Sequence, residues 1–301
     1  MKKLPHLLLF LPALALIAGC QAEQQEEAPG EMVAASAVVE IPVTSTSDAA
    51  MADFTAGQHA MDMARPQDAN ELFEAAVEKD PTFGFAYLRA ANTAASLEEF
   101  KTNLDLAAAN MEGMSDGERV LVEINMTFLD SDVNKRLQLA KQLVEAYPAS
   151  PRALLMLANV QGTLQEHGAA RTSIKKALEL DPTFVPGHRS LGLSYLFNDP
   201  KDFNQAETHM QHVVELAPEE ASAYINLGDV FRAEQELLEA RDSYKTAAEI
   251  DATSAIAFSK SGHANSFLGN YDEARVDYDR AIELAEVGGA KAAYAGFRAY
   301  V

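Results

Sequence analysis

The chain has 301 residues, 48% of them hydrophobic, and its 24 Lys and Arg against 45 Asp and Glu give a formal net charge of −21. That hydrophobic share excludes global disorder and allows a sizeable core, and so acidic a surface repels phosphate-rich partners, which argues against a nucleic-acid role. Good helix formers, alanine above all, dominate the body of the chain, so it is predicted to be all-α.

The first element is a leader. Lys2 and Lys3 give it a positive start, and Leu4 to Ile17 form an apolar run too short for a stable transmembrane span. The run ends Ile17-Ala18-Gly19-Cys20, which resembles the bacterial lipobox. That resemblance implies a lipoprotein signal peptide over 1–19 and acylation of the Cys20 thiol; several acyl chains would anchor the protein stably where one binds only reversibly. Gln21, not aspartate, follows the cysteine, which in enterobacterial sorting implies the outer membrane, facing the periplasm. The other reading is an ordinary signal peptide with Cys20 as a bystander. Cys20 is the one cysteine in the chain, so once acylated it leaves no thiol for a disulfide, a nucleophile or a cysteine metal site.

Residues 20–48 come next and carry Gln-Ala-Glu-Gln-Gln-Glu-Glu, then Pro29-Gly30, then Thr44-Ser45-Thr46-Ser47, without helical periodicity. They are predicted to be a flexible acidic tether with a reach of ~30 Å.

From 49 to 301 the chain repeats itself. Ala69-x3-Phe73-x2-Ala76-x4-Pro81 recurs as Ala170-x3-Ile174-x2-Ala177-x4-Pro182 and as Ala206-x3-Met210-x2-Val213-x4-Pro218. It returns as Ala240-x3-Tyr244-x2-Ala247 and Ala274-x3-Tyr278-x2-Ala281. Ahead of these stand Leu191-Gly192-x2-Tyr195, Leu227-Gly228-x2-Phe231 and Ser261-Gly262-x2-Asn265. The pattern resembles the tetratricopeptide repeat (TPR). The resemblance implies a right-handed superhelical solenoid of about seven helical hairpins, at 50–83, 84–116, 117–150, 151–184, 185–220, 221–254 and 255–288, with a closing helix at 289–301. Gly228 would admit the second helix of its hairpin against Ala240, and Pro182 and Pro218 would stop second helices. The departures are Asn103 and Asn110 at alanine positions, Ile124 at a small-residue position, Arg136 in place of alanine, and two extra residues around Asn198-Asp199-Pro200. Ser115-Asp116-Gly117-Glu118 reads as a capping box.

Chemistry is sparse. No G-x-S-x-G, H-E-x-x-H or glycine-rich phosphate loop occurs. His209, His212 and Glu215 share one helix at metal-ligand spacing but lack an obvious third ligand and supporting shell, so they are read as a solvated convex face. The reading is therefore a non-enzyme with no cofactor and no metal.

The resemblance also implies a concave groove lined by the second, fifth, ninth and twelfth positions of each unit. Ninth positions two to four are Asn92, Asn125 and Asn159, an amide row suited to the backbone of an extended peptide. Leu88, Leu121 and Leu155 would form an apolar rail beside it, with Arg189 and Arg232 farther along. The net charge would draw in a basic partner at long range. The function expected is a non-enzymatic protein- or peptide-binding adapter, lipid-anchored in the bacterial envelope; the alternative is a self-associating structural subunit of an envelope assembly.

Overall fold

The computed structural model describes residues 38–285 and 288–301. Cys20, the lipobox and most of the predicted tether lie outside the described residues.

Seven helical hairpins follow one another, as the repeat predicts. They are α1 (Asp48–Asp62) with α2 (Pro66–Lys79), α3 (Gly84–Thr93) with α4 (Leu97–Ala109), and α5 (Asp116–Leu129) with α6 (Val133–Ala146). Next come α7 (Pro151–Thr163) with α8 (His167–Leu180) and α9 (Val185–Phe197) with α10 (Phe203–Leu216). Then α11 (Ala221–Glu234) pairs with α12 (Leu237–Ile250), α13 (Ala255–Leu268) with α14 (Tyr271–Leu284), and α15 (Gly289–Arg298) closes the array. No strand occurs among the described residues. Each helix packs on the next in chain order, and the thinnest join is α4 against α5, where a 3-10 turn (Met111–Gly113) intervenes. The fold is all-α, a solenoid whose hairpins bury their apolar faces mainly against their neighbours in the chain.

Short-range chemistry sets the boundaries. Ser47, Ser96, Ser115, Ser150 and Ser254 cap helix N-termini with their hydroxyls, and Ser115 and Glu118 complete the predicted capping box. Three second helices end on Asp-x-Thr: the Oδ1 atoms of Asp80, Asp181 and Asp251 each accept from the backbone N–H and hydroxyl of the threonine two residues on. These turns redirect the chain into the next first helix.

Within the hairpins, the first-helix glycines face the large residue of the second helix and not its small one. A Cβ on Gly228 would stand 2.6 Å from Tyr244 Cε1, and one on Gly192 2.9 Å from Met210 Cε. This corrects the pairing of Gly228 with Ala240. The second unit is also regular: Phe100, Leu104 and Ala107 occupy the places that Ala69, Phe73 and Ala76 hold on α2, so Asn103 does not replace an alanine. Arg136 does. It is buried, donates from Nε to Thr127 Oγ1 (2.9 Å) and from Nη2 to Thr127 O (3.0 Å), and lies 3.5 Å over the Phe128 ring. Arg171 likewise closes the lengthened turn of the fifth unit, donating to Ser194 O, Asn198 O and Pro200 O. In both cases a guanidinium donates to carbonyls at and just beyond a first-helix C-terminus, adding a second bond to Thr127 O and Ser194 O.

Residues 38–47 depart most from expectation. They run extended along the turns that open the second, third and fourth units, and are not a free tether. Ser45 Oγ (2.7 Å), Thr46 N (3.0 Å) and Thr46 Oγ1 (3.1 Å) donate to Asp80 Oδ2. Thr44 donates to the fully buried Glu118 through its N–H (2.9 Å) and hydroxyl (2.6 Å), Ser115 Oγ to Pro42 O (2.8 Å), and Val39 N to Ala149 O (3.1 Å). Ile41 is buried against Gly117, where a Cβ would come within 2.5 Å of its Cγ2. An acidic, polar composition looks like a spacer, but here its hydroxyls and amides reach Asp80 Oδ2 and both oxygens of the buried Glu118, completing carboxylates whose other donors are Thr82 and Ser115.

Candidate functional site

The concave side holds a cavity of about 520 Å³ between α1, α3, α5, α7 and the 38–47 strap. Its wall is apolar over Phe54, Phe85, Leu121, Leu155 and Met156, and charged over Glu40, Asp62, Arg89 and Arg152. Arg152 grips Asp62 with two parallel bonds, Nη1 to Oδ1 (2.9 Å) and Nη2 to Oδ2 (2.6 Å), and its Nε stands 3.6 Å from Glu40. Burial works against that guanidinium's charge, but Asp62, Glu40 and Asp181 outweigh it and raise its pKa. Arg89 stacks over Phe85 at 4.8 Å, and its buried Nε has no partner among the described residues. Burial, with the repulsion of Arg152, pushes Arg89 down to about 10, so it stays cationic at neutral pH. Arg189 donates from Nη1 to Asp62 O (2.9 Å), leaving its buried Nε and Nη2 without partners among the described residues. Arg89 and Arg152 on the wall, with Arg189 beside it, thus stand among Asp62, Glu40, Asp181 and Glu220, and the guanidinium N–H groups left unpaired among the described residues are those of Arg89 and Arg189.

The first hairpin also reaches across the groove. Asp62 meets Arg152 and Arg189, Arg65 pairs with Glu220 (3.2 Å), and Met63 packs against the apolar cluster that includes Leu155, Leu191 and Leu227. The tip of the first unit therefore sits on the fourth, fifth and sixth.

Of the residues predicted for the groove, the structure brings Leu121, Leu155 and Asn159 to the cavity wall, with Arg189 beside them on the Asp62 carbonyl. The amide row does not form. Asn125 is buried and donates to Leu121 O within its own helix (2.8 Å), while Asn92 is exposed and away from the cavity. Leu88 is 1% exposed, part of the core and not of a rail. Arg232 lies outside the cavity, 3.9 Å from Asp229. Arg152 occupies a second position of its unit, one of the positions expected to face the groove. Asp62 and Glu40 carry no local signal, because their partners lie 90 and more residues away.

His209 is not on a solvated face. It is half-buried, its Nδ1 is 3.1 Å from Nδ1 of His188, and its ring lies parallel to that of Tyr195. The exposed His212 ring stands 4.8 Å from that of His188.

Residues 151–184, 201–255 and 257–287 match models of the tetratricopeptide repeat. Among curated proteins, the chain is similar to anaphase-promoting complex subunit 3 of Schizosaccharomyces pombe, 27% identical over 49% of this chain and 22% of that protein. It is also similar to superkiller complex protein 3 of Mus musculus, 26% identical over 54% of this chain and 11% of that one. The matched stretch is thus a quarter or less of either relative's length. Among solved structures, a tetratricopeptide repeat protein from Parabacteroides merdae shares 13% identity with a TM-score of 0.51, covering 84% of this chain and 98% of that one. MamA from Desulfovibrio magneticus shares 19% identity with a TM-score of 0.50, covering 56% and 96%. Matched repeats and hairpin geometry agree: this chain is an all-α solenoid whose residues 151–184, 201–255 and 257–287 carry tetratricopeptide repeats.

Proposed function

We propose that the protein is a non-enzymatic adapter that holds an extended segment of a protein partner in the concave cavity, and that Cys20 anchors it by lipid in the bacterial envelope. One observation carries the binding role: buried guanidinium N–H groups of Arg89 and Arg189 lack acceptors beside an apolar wall. A buried donor left unpaired costs free energy that an incoming carboxylate recovers. The ligand segment therefore presents an acidic group next to apolar side chains. The net charge of −21 favours basic regions elsewhere on the partner at long range, while the cavity selects an anion at contact.

The test is selection of peptides from a displayed random library against the full chain. Selected peptides should be enriched in acidic residues flanked by apolar ones. Arg89→Gln, and Asn159→Asp at the exposed mouth, should each weaken them by about tenfold or more. Unchanged affinity in both variants would move the binding surface off this face. For the anchor, Cys20→Ser should release the protein from washed membranes with its helical circular dichroism intact, and a variant still held there would refute the anchor.

A further inference from the structure

The strap carries an acidic residue beside apolar ones in Glu40-Ile41-Pro42-Val43. That is the composition the cavity asks of a ligand, and Glu40, Ile41 and Val43 are themselves part of its wall. The strap is not held evenly. From Ile41 onward it is anchored: Ile41 is buried, Pro42 O accepts from Ser115 Oγ at 2.8 Å, and the Thr44 hydroxyl reaches Glu118 at 2.6 Å. Ahead of Ile41 it is loose. Val38 and Val39 are exposed, one backbone bond joins Val39 N to Ala149 O (3.1 Å), and the Glu40 side chain is half-exposed. Its carboxylate stands 3.6 Å from Arg152 Nε, an ion pair too long for a good hydrogen bond. The surroundings suit its charge poorly: partial burial raises the pKa of Glu40, and Asp62 and Asp181 add to that against the pull of Arg152 and Arg89. The buried Arg89 Nε on the same wall still has no acceptor among the described residues. Ile41 fixes the backbone one residue away, so Glu40 leaves that donor unused. A carboxylate on a separate molecule carries no such tether.

We propose that Val38 to Glu40 form an autoinhibitory clasp on the cavity. Glu40 holds the place of a ligand's carboxylate, and the clasp swings out about Ile41 when a carboxylate with an apolar tail enters. This regulation rests on the cavity being the binding surface, as proposed above. The incoming group gains Arg152 Nε and the unpaired N–H of Arg89, where Glu40 has only a long contact with the first. A closed clasp reduces apparent affinity in proportion to the fraction of chains in which it is open. The ties of Thr44, Ser45 and Thr46 to Glu118 and Asp80 keep the rest of the strap in place while its leading end moves.

Hydrocinnamate, a carboxylate with an apolar tail, is the probe, titrated into the full chain at neutral pH and followed by saturation-transfer NMR. Glu40→Gln should bind it about tenfold more tightly than the wild type does, and Arg89→Gln should weaken it in both backgrounds. Asp272→Asn removes one charge from an exposed position on another unit and should leave the affinity as it was. Loss of charge alone would not move the strap, so hydrogen exchange is the second readout. Saturating hydrocinnamate should speed exchange of the Val39 amide in the wild type and leave the Thr44 and Thr46 amides unchanged. Equal affinity in wild type and Glu40→Gln, a gain matched by Asp272→Asn, or a Val39 amide indifferent to the probe overturns the clasp and leaves the cavity as a binding surface. Binding to neither protein, or binding that Arg89→Gln does not weaken, overturns the clasp and the anion-selecting cavity together.

Discussion

Tyr244 shows how a single contact is over-determined. Its ring is fully buried, its hydroxyl donates to Asp229 Oδ1 at 2.8 Å, and Asp229 also receives Lys260 Nζ at 2.6 Å. The ring has no room to yield, so Gly228 is the small partner that lets α11 and α12 close on it. Gly228→Ala gains up to ~1 kcal/mol of helix propensity, yet its Cβ at 2.6 Å forces displacement of an anchored aromatic. Overpacking wins, and we expect a net loss of about 1–3 kcal/mol, read as a lower midpoint in urea denaturation. Tyr244→Ala in the Gly228→Ala background should add less than it does alone, because the clash is then gone. A Gly228→Ala protein as stable as wild type would show that the two helices slide apart freely. The small residue was legible in the sequence, its partner was not: the repeat places both Ala240 and Tyr244 on the facing side, and only the packing decides which one the glycine meets.

The helical hairpins were legible because their signals are local. Alanine spacings, prolines and the Ser115–Glu118 capping box act within a few residues of the boundaries they set, and the recurring copies phase the rest. The strap was not, since its acceptors lie 34 and 74 residues away; nor was the histidine cluster, which joins two helices across 21 residues. What holds the strap can be stated at the level of that element. Burial alone would raise the pKa of Asp80, but hydrogen bonds from Thr82, Ser45 and the backbone of Thr46 prevail and hold it well below its ordinary 3.8. A carboxylate depressed in the folded state stabilises above its unfolded pKa and loses that contribution only as pH falls toward the folded value. The strap should therefore stay docked from neutral pH down to about 5. Asp80→Asn removes the charge and presents amide hydrogens to donors, so the Thr46 amide should exchange with solvent ten- to a hundredfold faster, the equivalent of about 1.5–3 kcal/mol for hydrogen bonds to a charged group. Glu118→Gln should do the same for the Thr44 amide. If neither amide changes its rate, the strap is held by Ile41 against Gly117 and not by its hydroxyls.

At the scale of the whole molecule, the chain breaks the rule that a repeat touches only its neighbours. A solenoid's stability is ordinarily a sum over adjacent units, so its ends fray first. Here α1 and α2 form the first unit, and the α4–α5 join behind the second is the thinnest in the array. On adjacent contacts alone, the first two units should open well below the global free energy. The ties across the groove oppose that: Asp62 to Arg152 and Arg189, Arg65 to Glu220, and Met63 on the apolar cluster of the fourth to sixth units. Native-state hydrogen exchange should accordingly find α1 and α2 opening together with the units they touch, not as a frayed end. Replacing Asp62 with Ala, Met63 with Ser and Arg65 with Ser cuts the side-chain ties, leaving only the Arg189 bond to the backbone carbonyl of residue 62, without touching the packing of α1 on α2. It leaves Arg152 without its bidentate partner, and because that pair is only partly buried, with side chains 27% and 17% exposed, the loss should be about 1–3 kcal/mol. The amides of α1 to α4 should then exchange through a separate opening of lower free energy, while those of α11 to α14 stay as they were. Should α1 and α2 already fray in the wild-type protein, the ties contribute nothing and the groove is open. Should the variant unfold as one unit, coupling runs through the strap, and removing residues 1–47 but not 1–37 would then produce the split.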